Sequence, residues 1–241
     1  HLFGDKKYMD NIMNNIYKAD IHEYIKDIPD NSIDLIYTDP PFSGITKAKW
    51  DKSLNWAELF PEMWRVLKPN GIIILYSAIP FTYELLKYET PKYHYFWIKN
   101  NSTGFFHAKR QPLRATEEIF VYYKKTGTYN PQMVGNKFYP KRKVKYGGKH
   151  GYYGKEGINK KNEINKEEGH YGNYPQNIIK YPIRKDKTGI TRTDEHIDYF
   201  IKTYSNEGDV VLDMTCHNDY VSKRCNILKR NYIGVDIDPQ L

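Results

Sequence analysis

Five consecutive residues without a polar side chain, Ile72-Ile73-Ile74-Leu75-Tyr76, constrain the fold of this 241-residue chain more than any other stretch. Such a run suits a strand covered on both faces, as in a mostly parallel sheet flanked by helices. It follows Lys68-Pro69-Asn70-Gly71, which reads as a turn. A second run, Ile33-Asp34-Leu35-Ile36-Tyr37-Thr38, stops at Asp39-Pro40-Pro41, where two prolines cannot continue a ladder. Val210-Val211-Leu212 leads into Asp213, and Asn231-Tyr232-Ile233-Gly234-Val235-Asp236 also closes on an acid. Further strands are predicted over Tyr93–Ile98 and Glu118–Tyr123. Between the strands the spacing predicts helices. One is capped by Ser53, carries Leu54, Trp56, Leu59, Phe60, Trp64 and Leu67, and kinks or breaks at Pro61. Another lies near Phe81–Lys87, and a third runs through Val221, Ile227 and Leu228. A fourth is capped by Thr193, with Asp194 and Glu195 in its first turn and Ile197, Phe200, Ile201 and Tyr204 on one face, and stops at Glu207-Gly208. Strand–helix–strand alternation in both halves gives an α/β protein with a mostly parallel sheet. In such sheets ligands gather at the carboxyl ends of strands, where Asp39 and Asp213 are expected.

Composition narrows the partners. Lys and Arg number 37 against 29 Asp and Glu, a net charge of +8, and 23 tyrosines contribute to an aromatic content of 15%. Positive charge with aromatic faces is what nucleic acid binding uses, since phosphates attract cations and bases stack. No 18-residue apolar run predicts a membrane span. Two cysteines, Cys216 and Cys225, build neither a disulfide framework nor a four-cysteine zinc site. Cys216 and His217 are adjacent, so both cannot easily face one metal ion. Without a secretion signal the expected setting is reducing and cytoplasmic, and the start at His1 reads as a trimmed end or tag remnant. From about Lys124 to Lys187, Gly, Tyr, Lys and Asn dominate and apolar periodicity disappears. A solvated floppy loop and a nucleic-acid-binding insertion are equally good readings of that stretch. Asn100–Arg110 is polar, basic and aromatic in an expected loop and belongs on the nucleic-acid side of the cleft, whereas Trp97, Tyr122 and Tyr123 pack the sheet.

Asp39-Pro40-Pro41-Phe42 carries chemistry. The exocyclic amine of adenine or cytosine is a poor nucleophile, because its lone pair is delocalised into the ring. A carboxylate and a carbonyl at a stiff corner can hold its hydrogens and favour a more tetrahedral nitrogen. The aromatic that follows can stack on an extruded base. The plainer reading is a strand-ending turn with an Asp cap. This tetrapeptide resembles that of the DNA amino-methyltransferases that use S-adenosylmethionine. Glu62–Gly71 followed by Ile72–Tyr76, then Tyr95–Asn100 and Arg114–Ile119, continue the resemblance. The catalytic half comes first and the half resembling a cofactor site, Asp209 to Asp238, comes last, an order similar to the β-class of the family.

The resemblance implies a Rossmann-like, mostly parallel sheet of the class I methyltransferase type. The catalytic domain would span residues 1–124 and 188–241, with 125–187 an inserted target-recognition region. It implies S-adenosylmethionine as cofactor, double-stranded DNA as substrate with base flipping, and adenine N6 ahead of cytosine N4, since Asp stands at position 39. Asp39, Pro40, Pro41 and Phe42 would be catalytic. Asp213, Thr215, Cys216, His217 and Asp236 would hold the methionine and ribose parts of the cofactor, and Asp20 with Ile21 its adenine. Lys109, Arg110, Lys141, Arg142, Lys143 and Lys145 would meet nucleic acid. A homodimer or a paralogous methyltransferase subunit is the protein partner to expect. The chain departs from the family at Thr215-Cys216-His217-Asn218-Asp219-Tyr220, where a Gly-x-Gly is usual, and at Thr188–Thr193, which keeps only the polar–basic pair Thr191-Arg192. A backbone passing close to a ligand often needs φ above zero, which Asn and Asp tolerate. The departure at 215–220 keeps open a DNA-binding subunit impaired in catalysis, and RNA methylation on the same scaffold is a third, weaker alternative.

Overall fold

The computed structural model describes residues 2–42, 53–143, 163–186 and 189–241, which form two compact units, His1–Asn130 with Gln176–Leu241 and Pro131–Pro175. In chain order the elements begin with α1 (Leu2–Ile12), β1 (Asn15–Lys18), α2 (Ile21–Asp27) and β2 (Ile33–Thr38). There follow α3 (Trp56–Val66), β3 (Leu67–Ser77), α4 (Phe81–Leu85), β4 (Tyr93–Thr103), a 3₁₀ turn (Phe105–His107) and β5 (Arg114–Tyr122). The smaller unit holds β6 (Val134–Lys143) and β7 (Glu163–Asn173). The chain then completes the larger unit with β8 (Ile178–Lys180), β9 (Ile183–Asp186), β10 (Gly189–Arg192), α5 (Asp194–Tyr204), β11 (Val210–Asp213), α6 (Tyr220–Ile227) and β12 (Asn231–Asp236).

Eight strands pair in the order β1-β12-β11-β2-β3-β5-β4-β8. Pairing is parallel from β1 to β3 and again between β4 and β8, and antiparallel at β3/β5 and β5/β4. Alternate residues of the central strands face opposite ways, which is why the run 72–76 has no polar position. Ile73 and Leu75 pack with Met9, Ile25, Trp56, Leu59 and Met63 of α1 to α3, while Ile72, Ile74 and Tyr76 pack with Ile197, Phe200 and Ile201 of α5 and Val221 and Cys225 of α6. Trp97 and Tyr122 are buried in the sheet and Tyr123 packs partly buried against it. No helix among the described residues is long and apolar enough to cross a membrane.

Several local expectations are corrected. Helix α3 begins one residue after Asn55, whose side chain donates to Glu58 at 2.6 Å, while the Ser53 hydroxyl binds the Leu54 carbonyl and caps nothing. The helix runs unbroken through Pro61, whose missing donor strands only the carbonyl of exposed Ala57. Lys68–Gly71 does not separate helix from strand. It bulges out of β3, between Leu67 paired with Ile33 and Ile72 paired with Leu35. Thr193 occupies the cap position of α5, but its hydroxyl finds no partner among the described residues; Asp194 and Glu195 are left to meet the dipole. That helix ends at Tyr204, and Gly208 instead takes a φ of +88° in the following turn.

The stretch 124–187, without apolar periodicity, nevertheless contains strands. In the smaller unit β6 and β7 pair antiparallel, and their side chains meet through rings. Tyr139 stacks on His170 with centroids 5.6 Å apart, Phe138 tilts against Tyr171 at 5.0 Å, and the Tyr139 hydroxyl donates to Asn173 at 2.6 Å. At Gly169 a Cβ would lie 2.2 Å from the Tyr139 carbonyl, so the close strand approach there admits no side chain.

Candidate active site

Four neighbouring parallel strands end on acids at one edge of the sheet. Across β1, β12, β11 and β2 these are Asp20, two residues beyond β1, then Asp236, Asp213, and Asp39 directly after β2. Strands stand about 4.8 Å apart, so the four carboxylates line a row roughly 14 Å long. Each has its own local cause. Pro40 and Pro41 supply no N–H and stop β2 at Thr38. Asp213 and Asp236 are the last residues of their strands, and Asp20 caps α2 by accepting the His22 N–H at 2.9 Å.

Asp39 is gripped by a cation from the other half of the chain. Arg192 Nη1 lies 2.9 Å from Asp39 Oδ2, and Arg192 Nη2 lies 2.9 Å from Glu117 Oε2. Lys99 Nζ holds the other oxygen of Glu117 at 3.0 Å. The flat guanidinium also sits 4.6 Å from the ring centroid of Tyr76 and 4.8 Å from that of Trp97. Arg192 is 11% exposed, whereas 35% of the Asp39 side chain remains open to water. Desolvation pushes the Asp39 carboxyl up to about 6; Arg192 and His217 pull it down and Glu117 pushes it further up. Water reaching the exposed third of the side chain moderates that rise. Beneath lies a buried polar chain, with Tyr37 and Tyr76 hydroxyls 2.9 Å apart and Tyr76 3.1 Å from His196 Nε2. Burial and then Arg192 hold His196 well below its usual range, so its ring is neutral. Pro40 is buried, Pro41 and Phe42 half-buried, and Phe42 stacks on Phe81 at 5.5 Å.

The second acid is different. Asp213 is 3% exposed, and no cation among the described residues pairs with it. Its Oδ1 accepts the Thr215 N–H at 3.3 Å. Burial raises its pKa well above the carboxylate range, opposed by that hydrogen bond and reinforced by Asp39 and Asp236. Asp236 accepts the N–H groups of His217 and Asp238, each at 2.8 Å. Thr215 reaches across to β2, its hydroxyl 2.9 Å from that of Thr38. In the loop that replaces the family's glycines, His217 takes the left-handed conformation, φ +51°, whereas Asp219 has φ −92°. The positive φ therefore falls on His217 itself, not on the residues better suited to it. Cys216 is buried, its thiol raised by burial, and its N–H donates to Val235 at 3.1 Å. Ile21 is buried behind Asp20. His22 Nε2 accepts the Asn55 N–H at 3.0 Å, which places the imidazole proton on Nδ1, 2.9 Å from Asp20.

A buried acid with no cationic partner among the described residues, raised further by two neighbouring acids, fits a cationic, amine-bearing ligand such as S-adenosylmethionine, and the loop takes up one left-handed residue without glycine. No group of His, Cys, Asp or Glu among the described residues is placed to hold a metal ion. Of the basic residues expected at nucleic acid, Lys109 and Arg110 are exposed beyond the 3₁₀ turn. Lys141 is exposed on the smaller unit and pairs with Glu168 at 3.0 Å. Arg142 and Lys143 belong to β6, and Lys145 lies outside the described residues. Sequence reasoning finds all four acids but misses the clamp of Glu117, Lys99, Tyr76 and Trp97. Its one visible signal is the polar–basic pair at Thr191-Arg192.

A family model described as DNA methylase, of the N6/N4 type, matches residues 33–241. The type II methyltransferase M.HpaI of Haemophilus parainfluenzae is 30% identical over 231 residues, covering 90% of this chain and 68% of that protein. M.BamHI of Bacillus amyloliquefaciens is 27% identical over 251 residues, covering 96% of this chain, which spans only 56% of that relative. Among solved structures, the cytosine-N4-specific PvuII DNA methyltransferase aligns with a TM-score of 0.61 at 14% identity, covering 93% of this chain and 82% of that one. The M1.HpyAVI–SAM complex aligns at 0.56 and 21% identity, covering 93% and 92%. These likenesses establish the class I methyltransferase fold. The family match runs from β2 to the last strand and takes in both acid-tipped halves, so the chain belongs to the N6/N4 DNA methylases.

Proposed function

We propose that this chain methylates a base amino group of double-stranded DNA, adenine N6, after the base is extruded. S-adenosylmethionine is the methyl donor; bound, it supplies a methyl group made electrophilic by its sulfonium. The observation that carries the reading is Asp39, held at the proline-stiffened tip of β2 on the strand next to the buried, cation-free Asp213. Asp213 and Asp236 would hold the cationic and ribose parts of the cofactor, with Thr215, Cys216 and His217 contributing the loop beside them. Asp20 and Ile21 would meet the adenine. Arg192 engages Asp39 through Oδ2, which leaves Oδ1 to accept one amino hydrogen while the Pro40 carbonyl accepts the other. Both acceptors draw the amine out of conjugation and stabilise the positive charge that develops on it. Asp39 would also take the proton that methylation releases. A carboxyl raised from its ordinary value toward about 6 is ionised at neutral pH yet more basic than a free aspartate. Phe42 would cover one face of the base. Lys109 and Arg110, and the residues 125–187 with Lys141, Arg142, Lys143 and Lys145, would meet phosphates and choose the site.

Asp39→Ala tests this reading. Transfer of labelled methyl groups to duplex DNA should fall by at least ~10³-fold, since the substitution removes both an acceptor and the base. Affinity for DNA should stay within about twofold, because phosphate contacts dominate it. Transfer at the parent rate removes Asp39 from its role. Parallel assays on adenine and cytosine sites, single strands and RNA fix the acceptor. Calorimetry with S-adenosylmethionine separates the enzyme from an impaired DNA-binding subunit, which would show no cofactor binding.

A further inference from the structure

We infer that Arg192 is a positioning residue: held by Glu117 and by the rings of Tyr76 and Trp97, it fixes the orientation of the Asp39 carboxylate. The inference rests on the reading of Asp39 as the amine acceptor. Three constraints leave the guanidinium no rotational freedom. Nη1 is bound to Asp39, Nη2 to Glu117, and the carbon that joins them lies less than 5 Å from the centroids of two aromatic rings. These anchors come from β2, β5, β3 and β4, while Arg192 closes β10. An arginine recruited only to neutralise Asp39 would need neither Glu117 nor the rings. Glu117 itself raises the Asp39 pKa, and Lys99, 3.0 Å from its second oxygen, balances its charge. The four charges, Asp39, Glu117, Arg192 and Lys99, balance in pairs. Among the described residues Arg192 Nε has no acceptor, so the group is placed for its two Nη contacts at the expense of a buried donor.

The other titratable groups facing this cluster do not compete for the role. Burial keeps the Tyr37 and Tyr76 hydroxyls protonated, and His196 is neutral. His217 acts on Asp39 only as a secondary, lowering influence, and Asp213 shares the strand edge without pairing with Arg192. Arg192 is thus the main group that opposes desolvation of the Asp39 carboxylate. Without it Asp39 faces Glu117 alone, takes up a proton at higher pH, and loses its fixed geometry.

The test follows the Asp39 carboxyl by carbon-13 NMR in the full chain, as parent, Arg192→Gln, Arg192→Lys and Glu117→Gln, beside methyl transfer measured across pH. The parent should titrate above the ordinary carboxylate range, up to about 6. Arg192→Gln should raise the midpoint by about one pH unit or more, because an opposite charge at contact distance is lost. The acid limb of kcat should move up with it, since activity needs the ionised form. At neutral pH kcat should fall about 10- to 100-fold while KM for DNA and cofactor stays within about twofold. Arg192→Lys restores the charge without the fork, so the acid limb should return toward the parent's while kcat stays low. Glu117→Gln should lower the midpoint, because a neighbouring carboxylate is removed, and still reduce kcat. If Arg192→Gln does not fold, the last two variants carry the test. A midpoint unmoved in every folded variant overturns the inference, as does full activity of Arg192→Lys at every pH. The NMR readout is independent of methyl transfer: midpoints that shift while Asp39→Ala remains active uphold the contact and count instead against the proposed function.

Discussion

At the scale of single residues, His217 shows how the cofactor loop manages without glycine. A non-glycine residue in the left-handed region costs about 1 kcal/mol, and here it falls on a side chain whose N–H is held by Asp236. Replacing it by glycine removes that cost but adds roughly 0.5–1 kcal/mol of chain entropy to the unfolded state. His217→Gly should therefore change the stability by less than about 1 kcal/mol in chemical denaturation. The imidazole, near enough to Asp39 to lower its pKa, would be gone from the loop at the strand ends, so S-adenosylmethionine should bind several-fold more tightly in calorimetry. Equal affinity would show that the imidazole lies clear of the ligand. Asp39, Asp213 and Asp236 are legible in the sequence because each ends an apolar run, which marks strand and edge together, whereas Asp20 is found only through the family resemblance. Arg192 is not legible in that way. Its partners Glu117, Lys99, Tyr76 and Trp97 sit on three other strands, and only the sheet order β3-β5-β4 brings them to one place.

At the scale of elements, strands with continuous apolar runs and the helix α5 can be read directly, since burial on both faces or on one face leaves a clear pattern. Strand β1 cannot: its four residues are half-buried or exposed, and it joins the sheet through backbone pairing to β12. The β6–β7 hairpin hides for a related reason, being held by ladder bonds and ring contacts among polar residues. The β4–β5 connection shows what an expected loop becomes. β4 lies antiparallel to β5, and β5 antiparallel to β3, so this connection opens at the same edge of the sheet as Asp39. Gly104, at φ +89°, turns the chain into the 3₁₀ segment, leaving Phe105 and Phe106 highly exposed and followed by exposed Lys109 and Arg110. Exposed rings beside cations at that edge suit contact with unstacked bases. Aromatic stacking is worth about 1–3 kcal/mol per base, so the double variant Phe105→Ser, Phe106→Ser should weaken duplex binding by about tenfold or more. It should also diminish the fluorescence rise of 2-aminopurine at the target base, with cofactor affinity unchanged. Parent-like binding and fluorescence would assign the tip no part in recognition.

At the scale of the whole molecule, the net charge of +8 would make the proposed duplex binding salt-dependent. Each phosphate contact contributes close to one unit to the slope of log affinity against log salt. Lys109→Ala combined with Arg110→Ala should lower that slope by about 2, measured by anisotropy between roughly 50 and 200 mM salt. An unchanged slope would move the phosphate contacts elsewhere, to the smaller unit. The charges are unevenly placed, however. The row of aspartates along the sheet edge is less negative than its sequence implies, since Arg192 pairs with Asp39 and burial favours the protonated form of Asp213. A cationic donor seated beside Asp213 would exchange one positive charge for another there, the proton leaving as the sulfonium arrives.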